Sequence, residues 1–232
     1  MKITQHGDYL YKLTRLGRFN CYLVREDDGL TLIDTNLPSS AAGILRAAQQ
    51  VGGSIVRIVI THAHVDHAAS VDALHAQLPD AEVLFPARDA RFLAGDMQPD
   101  PDEPPEAKLR GGYVTCETTP TRTLQPGDRL GSLEVVAAAG HTPGHTAYLD
   151  TRDRSLIAGD AFQTAGGIAV SGALRLLFPL PAMATWHKPT ALASAHVLRG
   201  LEPSRLAVGH GPVLEAPGAA MDRAIAVAER SF

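Results

Sequence analysis

Apolar positions along the chain fall into short runs of strand period separated by stretches of helical period. Phe19 to Val24 and Leu30 to Ile33 are two such runs around Asp28-Gly29, whose glycine supplies the positive φ of a tight turn, and they predict a β-hairpin as the opening element. Ile44, Leu45, Ala48 and Val51 recur at helical spacing between Ser39-Ser40 and Gly52-Gly53, a start and a stop signal. Ser54 to Ile60, rich in β-branched residues, reads as a buried strand, and Ala68 to Gln77 as a helix. Glu82 to Phe85 predicts a strand, followed by a short helix to about Leu93. Further on, Thr123 to Leu130 and Leu133 to Ala138 read as turn-linked strands, and Ala147 to Leu149 with Ser155 to Ala158 as a second hairpin around Asp153-Arg154. Pro189 to Gly200 is a helix, Arg205 to Gly209 a last strand, and Gly218 to Arg230 an amphipathic C-terminal helix.

Two stretches break the pattern. Asp96 to Pro105 mixes prolines with acidic residues without a period and reads as a solvated loop, a candidate lid. Phe162 to Trp186 is first Gly-rich, then apolar through Leu174, Leu176, Leu177, Phe178, Leu180, Met183 and Trp186. Core is the default for such side chains, with the wall of a pocket as the alternative.

At 232 residues and 45% hydrophobic side chains, residues 1–232 are expected to form one domain with a sizeable core. A net charge of −4 with dispersed charges offers no basic field for nucleic acid. The first residues show no apolar core of a signal peptide and no run approaches a membrane span, so the expectation is a cytoplasmic protein without a membrane partner. Cys21 and Cys116 lack any paired spacing and read as free thiols.

The chemistry is concentrated in Thr61-His62-Ala63-His64-Val65-Asp66-His67, directly after the strand ending at Ile60. Neutral imidazoles and an ionised carboxylate suit Zn(II), Mn(II) or Fe(II), and the absence of thiolates disfavours a Cys-rich structural zinc site. Packing these groups together without a cation would cost repulsion on protonation and desolvation of the carboxylate. A plain polar turn is therefore the weaker reading.

This stretch resembles the His-x-His-x-Asp-His signature of the metallo-β-lactamase superfamily, and further motifs follow in the family's order. Gly140-His141-Thr142-Pro143-Gly144-His145 is similar to its third-histidine loop, Ala158-Gly159-Asp160 to its bridging-aspartate turn, and Gly209-His210-Gly211 to its last-histidine turn. The resemblance runs from about Tyr22 to Pro212. It implies an α/β fold, the αβ/βα four-layer sandwich of two mixed β-sheets flanked by helices. It implies two divalent ions, zinc first with manganese or iron as alternatives. His62, His64 and His145 would hold one ion, Asp66, His67 and His210 the other, and Asp160 both. Within the third-histidine loop the resemblance favours His145, after Pro143-Gly144, leaving His141 to hydrogen-bond beside it. Asp34 would support the metal loop, with Asn36 standing where the family usually has Gly. Ala68-Ala69-Ser70 replaces the glycines common after Asp-His.

The implied activity is a dinuclear metal-dependent hydrolase in which a metal-bridging hydroxide attacks the carbonyl of a carboxylic ester, lactone or thioester, with Asp66 as proton carrier and a small molecule as substrate. Because no Arg/Lys cluster follows His210, a neutral, apolar acyl group is favoured over a glutathione thioester or a phosphodiester, with Phe178, Met183 and Trp186 as candidate wall residues. Three alternatives stay open: a mononuclear iron oxygenase of the same fold, similar to persulfide dioxygenases; a β-lactam hydrolase, which Asp160 disfavours; and a non-catalytic metal-binding module. The sequence leaves the oligomeric state unknown.

Overall fold

A computed structural model describes residues 1–232. In chain order the strands of the first half are β1 (Lys2–His6), β2 (Leu10–Arg15), β3 (Phe19–Glu26), β4 (Gly29–Ile33), β5 (Ile55–Val59), β6 (Glu82–Pro86) and β7 (Arg122–Leu124), which hydrogen-bond in that order as one seven-stranded sheet. The second half supplies β8 (Arg129–Leu130), β9 (Leu133–Ala137), β10 (Thr146–Asp150), β11 (Ser155–Ile157), β14 (Arg205–Ala207) and β15 (Leu214–Glu215), a six-stranded sheet ordered β15-β14-β11-β10-β9-β8. A small ribbon, β12 (Phe162–Gln163) with β13 (Ala169–Val170), stands apart. The helices are α1 (Ala41–Val51), α2 (Val65–Ala68), α3 (Val71–His75), α4 (Ala87–Leu93), α5 (Leu180–Met183), α6 (Lys188–Gly200) and α7 (Gly218–Glu229).

Period-two alternation assigns each strand residue to a layer. On β3, Cys21 and Leu23 face α1, α3 and α4, whereas Tyr22 and Val24 face the second sheet; on β6, Val83 and Phe85 face out and Leu84 faces in. Between the sheets, Leu10, Tyr22, Val24, Ile33, Val59, Leu84 and Leu124 meet Leu130, Leu133, Val135, Tyr148, Ile157 and Ala207. The outer face of the second sheet packs Ala147, Leu149, Leu156 and Leu206 against α6 and α7. These layers run helix, sheet, sheet, helix, the four-layer αβ/βα sandwich. Each Val, Leu, Ile or Phe among these side chains, when fully enclosed, contributes about 1.5–3 kcal/mol.

Two buried tyrosines strap the sheets together. Tyr22 of the first sheet donates its hydroxyl to the Val208 carbonyl at 2.7 Å, and Tyr148 of the second donates to the Ile60 carbonyl at 2.6 Å. Each strap thus ends two residues before a histidine of the motif, His210 in one case and His62 in the other.

Two departures from the sequence reading have local causes. A hairpin of β1 and β2 precedes the expected opening one; its buried Leu10 and Leu13 are three residues apart, so the strand period was hidden. The helix expected over Ala68 to Gln77 is two short pieces. Ser70 interrupts it, since its N–H is taken by Thr35 Oγ1 and its hydroxyl donates to the Leu37 carbonyl. The acidic stretch is the mostly exposed irregular loop expected, tied to α4 by Arg88, which pairs with Glu103 at 2.7 Å and Asp100 at 3.1 Å, and by Arg91, which pairs with Asp96 and Asp100. No helix is long and apolar enough to cross a membrane.

Candidate metal centre

Asp34 ends β4 in a left-handed conformation, φ 63°, which aims its buried carboxylate across at the loop after β5. It accepts the Thr61 N–H at 2.7 Å, the Thr61 hydroxyl at 3.0 Å and the His67 Nδ1–H at 2.7 Å. Since the Thr61 hydroxyl proton is spent on Asp34, its oxygen must accept from His62 Nδ1, 2.9 Å away. One carboxylate therefore sets both tautomers, and His62 and His67 present an unprotonated Nε2 inward when neutral.

The same logic fixes the other rings. His64 donates Nε2–H to the Arg110 carbonyl at 2.9 Å, turning Nδ1 inward. His210 donates Nδ1–H to the Arg18 carbonyl at 3.3 Å. For His141 a chain of hydroxyls decides: Thr185 donates to the Pro181 carbonyl (2.7 Å), so Ser171 must donate to Thr185 (2.8 Å) and accept from His141 Nδ1 (2.9 Å). His141 Nε2 is left as a lone pair, 3.0 Å from His64 Nδ1. Two lone pairs at that separation repel unless a positive charge lies against both.

Ligating atoms of His62, His64 and His141 lie within 4.8 Å of one another, as do those of His62, His67 and Asp160, and those of Asp66, His67 and His210. Asp160 stands between the groups, with Oδ2 3.1 Å from His210 Nε2 and 3.4 Å from His141 Nε2, and Oδ1 3.5 Å from His67 Nε2. Asp66 reaches His210 Nε2 at 3.2 Å. His62 Nε2, His67 Nε2 and Asp160 Oδ1 are buried polar atoms without a hydrogen-bond partner, which in a folded protein calls for a ligand. A side chain at Gly209 would put its Cβ 2.2 Å from Asp160 Oδ1, so only glycine lets the last turn close on this carboxylate. The donor set fits divalent transition-metal ions.

The structure places His145 differently from the expectation. Its Nε2 accepts the Asp160 N–H at 3.0 Å, so that nitrogen is engaged with backbone and His141 faces the shared space instead. Gly159, at φ 47°, allows this contact, because a Cβ there would stand 2.7 Å from the same Nε2. Asp89, which sequence reasoning did not single out, joins the two histidine loops. Fully buried, it accepts from Ala63 N, Thr142 Oγ1 and Gly144 N, each at 2.8 Å. No local motif marks it, nor Ser171 and Thr185.

Electrostatics follow from burial and from these carboxylates. Burial, aided by neighbouring imidazoles, pushes His62 and His141 well below the usual histidine range and His145 down to about 3. Burial opposes charge on His67 and His210 too, but Asp34, Asp160 and Asp66 outweigh it, holding His67 well above that range and His210 at about 9. Burial would likewise raise Asp66, yet His67 and His210 keep it at about 2; the same two rings hold Asp160 below the usual carboxylate range. Asp89, dominated by desolvation, rises to about 6. The carboxylates thus demand positive charge at the His67 and His210 side of the cluster, a demand a divalent cation meets.

The cluster lies at a cavity of about 420 Å³ whose lining includes His64, Asp66, His141, Asp160 and His210, with Phe19, Leu37, Leu180, Pro181, Met183 and Ala184 as apolar walls. Leu180 and Met183 are 53% and 65% exposed, not core. Of the other expected wall residues, Phe178 is buried against Phe19 and His210, and Trp186 faces a separate cleft. Gly111 and Gly112 line the cavity, so the far end of the long loop after α4 reaches the site, not its acidic part.

Residues 15–210 match the metallo-beta-lactamase superfamily, and this chain belongs to it, a superfamily whose members are mostly hydrolases. Among its relatives, the Uncharacterized protein YobT of Bacillus subtilis (strain 168) is 45% identical over 99% of this chain and 100% of its own length. The Hydroxyacylglutathione hydrolase of Methylobacterium sp. (strain 4-46) is 35% identical over 54% of this chain, which covers 41% of that protein. A solved structure, TTHA1623 in a di-iron-bound form, is 28% identical with a TM-score of 0.65, covering 92% of this chain and 97% of that one.

Proposed function

We propose that this chain is a metal-dependent hydrolase that holds two divalent ions and opens a carboxylic ester, lactone or thioester of a small molecule. The observation that carries the reading is the orientation of five imidazoles, each with its outer nitrogen committed to a protein acceptor and its inner nitrogen facing two carboxylates at a cavity. His62, His64 and His141 would hold one ion, Asp66, His67 and His210 the other, and Asp160 would be shared. His145, first expected in the ligand set, has the role of fixing the Asp160 backbone. Bound there, zinc, or manganese or iron in its place, polarises a carbonyl and acidifies water.

The chain's own groups supply the rest. No serine, cysteine or lysine lines the cavity, so water is the nucleophile the site can offer. Asp66 opens onto the cavity with 21% of its side chain exposed and is held ionised, placed to take a proton from water and pass it to a leaving oxygen. The walls of Leu180 and Met183 favour an apolar acyl group over a bare phosphodiester. A mononuclear iron oxygenase would leave the Asp66, His67 and His210 group without a purpose, and the di-iron-bound relative is a dinuclear precedent of similar fold.

The test is metal per chain by elemental analysis together with turnover of a lactone, ester, thioester, phosphodiester and β-lactam panel, and oxygen uptake. Two ions and carbonyl hydrolysis are expected; one ion with oxygen consumption would overturn the reading.

A further inference from the structure

Beside the catalytic cavity lies a second cleft, of about 570 Å³, whose lining includes Lys108, Arg110, His187 and Lys188 and, as sole carboxylate, Glu106. Glu106 is engaged with His187 at 3.3 Å. The side chains of Lys108 and Arg110 form no ion pair or hydrogen bond, and Lys188 only lies over the Phe232 ring at 5.2 Å. Three exposed cations thus line the cleft against one occupied carboxylate, on a chain whose formal charge is −4. All three are exposed, so water and salt screen their mutual repulsion, and their positive charge is left open to an incoming anion.

The cleft abuts the metal centre. Met183 lines both it and the catalytic cavity, and Thr185 lines the cleft while belonging to the hydroxyl chain that orients His141. Arg110 is part of the cleft's lining while its carbonyl holds His64, and the adjacent Gly111 lines the cavity. Met183 is the one residue common to both linings, so a substrate with its scissile carbonyl at the metal cluster would have to extend over Met183 to reach Lys108, Arg110 and Lys188.

We propose that this cleft is an anion subsite that takes a carboxylate or phosphate group carried by the ester or thioester substrate, at the end remote from the scissile bond. The proposal rests on the hydrolase reading and narrows its substrates to molecules with an apolar middle and an anionic end. It also revises the expectation of a neutral substrate. That expectation considered only basic residues after His210, whereas the fold gathers cations from two segments far apart in sequence.

Trp186, the one tryptophan, lines the cleft and reports on it directly. Its emission is followed while inorganic phosphate or glutarate is added at constant ionic strength to the full-length metal-loaded protein. A saturable change is expected in wild type, weakened about tenfold in Lys108→Gln/Lys188→Gln, since exposed charge contacts are individually modest. Whichever anion saturates first distinguishes phosphate from carboxylate. No saturation, or equal saturation in the double variant, which would place the anion on the metals, overturns the subsite.

In parallel, kcat/KM is compared for a nitrophenyl ester of butyrate and of glutarate, the latter ending in a free carboxylate. A preference for the anionic ester that shrinks about tenfold in the double variant and with added salt is expected. If neither ester is hydrolysed and the wider substrate panel is inert as well, the hydrolase reading fails while the fluorescence result still decides the cleft. If both are hydrolysed with the same ratio in wild type and variant, the subsite fails alone.

Discussion

Asp34 Oδ2 stands 2.7 Å from His67 Nδ1, and the same carboxylate holds the Thr61 hydroxyl that in turn receives His62 Nδ1–H. One residue, directly after β4, therefore orients an imidazole in each of the proposed ion sites. Removing it frees both rings to rotate and to take the other tautomer. Asp34→Ala is expected to lower affinity for both ions by about 10–100-fold, read by competition with a chromogenic chelator. Asp34→Asn tolerates the left-handed backbone and keeps one acceptor oxygen, so its loss should be smaller. Loss at one ion alone would contradict the shared role.

The two histidines of the third loop should separate cleanly. His141→Ala removes an inward lone pair and is expected to cost one ion per chain. His145→Ala leaves the Asp160 N–H without its acceptor, a loss of about 1–3 kcal/mol in stability, yet both ions should remain. His145→Gln, which can still accept that N–H, should recover part of the stability. Metal analysis beside thermal melts checks this, and retained stoichiometry in His141→Ala would restore the original assignment to His145.

Why was that assignment out of reach of the sequence? His62 to His67 were legible because candidate metal-binding groups clustered within one turn announce themselves. His141 and His145 share one loop equally, and what turns them apart lies elsewhere: Ser171 and Thr185 claim the outer nitrogen of His141, while the Asp160 backbone claims His145. Such choices depend on contacts made 15 to 44 residues away. The strands were readable where both faces are buried, as in β5 and β6, and unreadable in β2, where Leu10 and Leu13 obscure the alternation. Apolar residues of the 174–183 segment looked like core in the sequence; Leu174, Leu176 and Leu177 are exposed instead, a placement composition does not reveal.

Metal removal should destabilise the fold, because the folded state alone gathers the ligands. Each ion present at about a thousand times its dissociation constant contributes about 4 kcal/mol, so the proposed pair contributes about 8 kcal/mol. For a chain of this size that corresponds to a fall in Tm on the order of 20 °C on chelation. Differential scanning fluorimetry with and without chelator, followed by zinc add-back, measures it. A Tm unaffected by chelation that demonstrably strips the protein would speak against a preformed centre.

The apolar wall is the last feature to test. Leu180 and Met183 border the cavity while staying largely exposed, so they have surface that a bound acyl chain can cover. Full enclosure of such a side chain is worth about 1.5–3 kcal/mol, and these two begin roughly half open. Covering the remainder should then raise kcat/KM by about tenfold as an acyl series lengthens past them. Leu180→Ala/Met183→Ala is expected to flatten that response, whereas Leu176→Ala, exposed but outside the cavity lining, should leave it intact. The measurement is kcat/KM across nitrophenyl esters of rising length in all three proteins. An undiminished chain-length response in the double variant would move the acyl group off α5, with no bearing on the metal ligands.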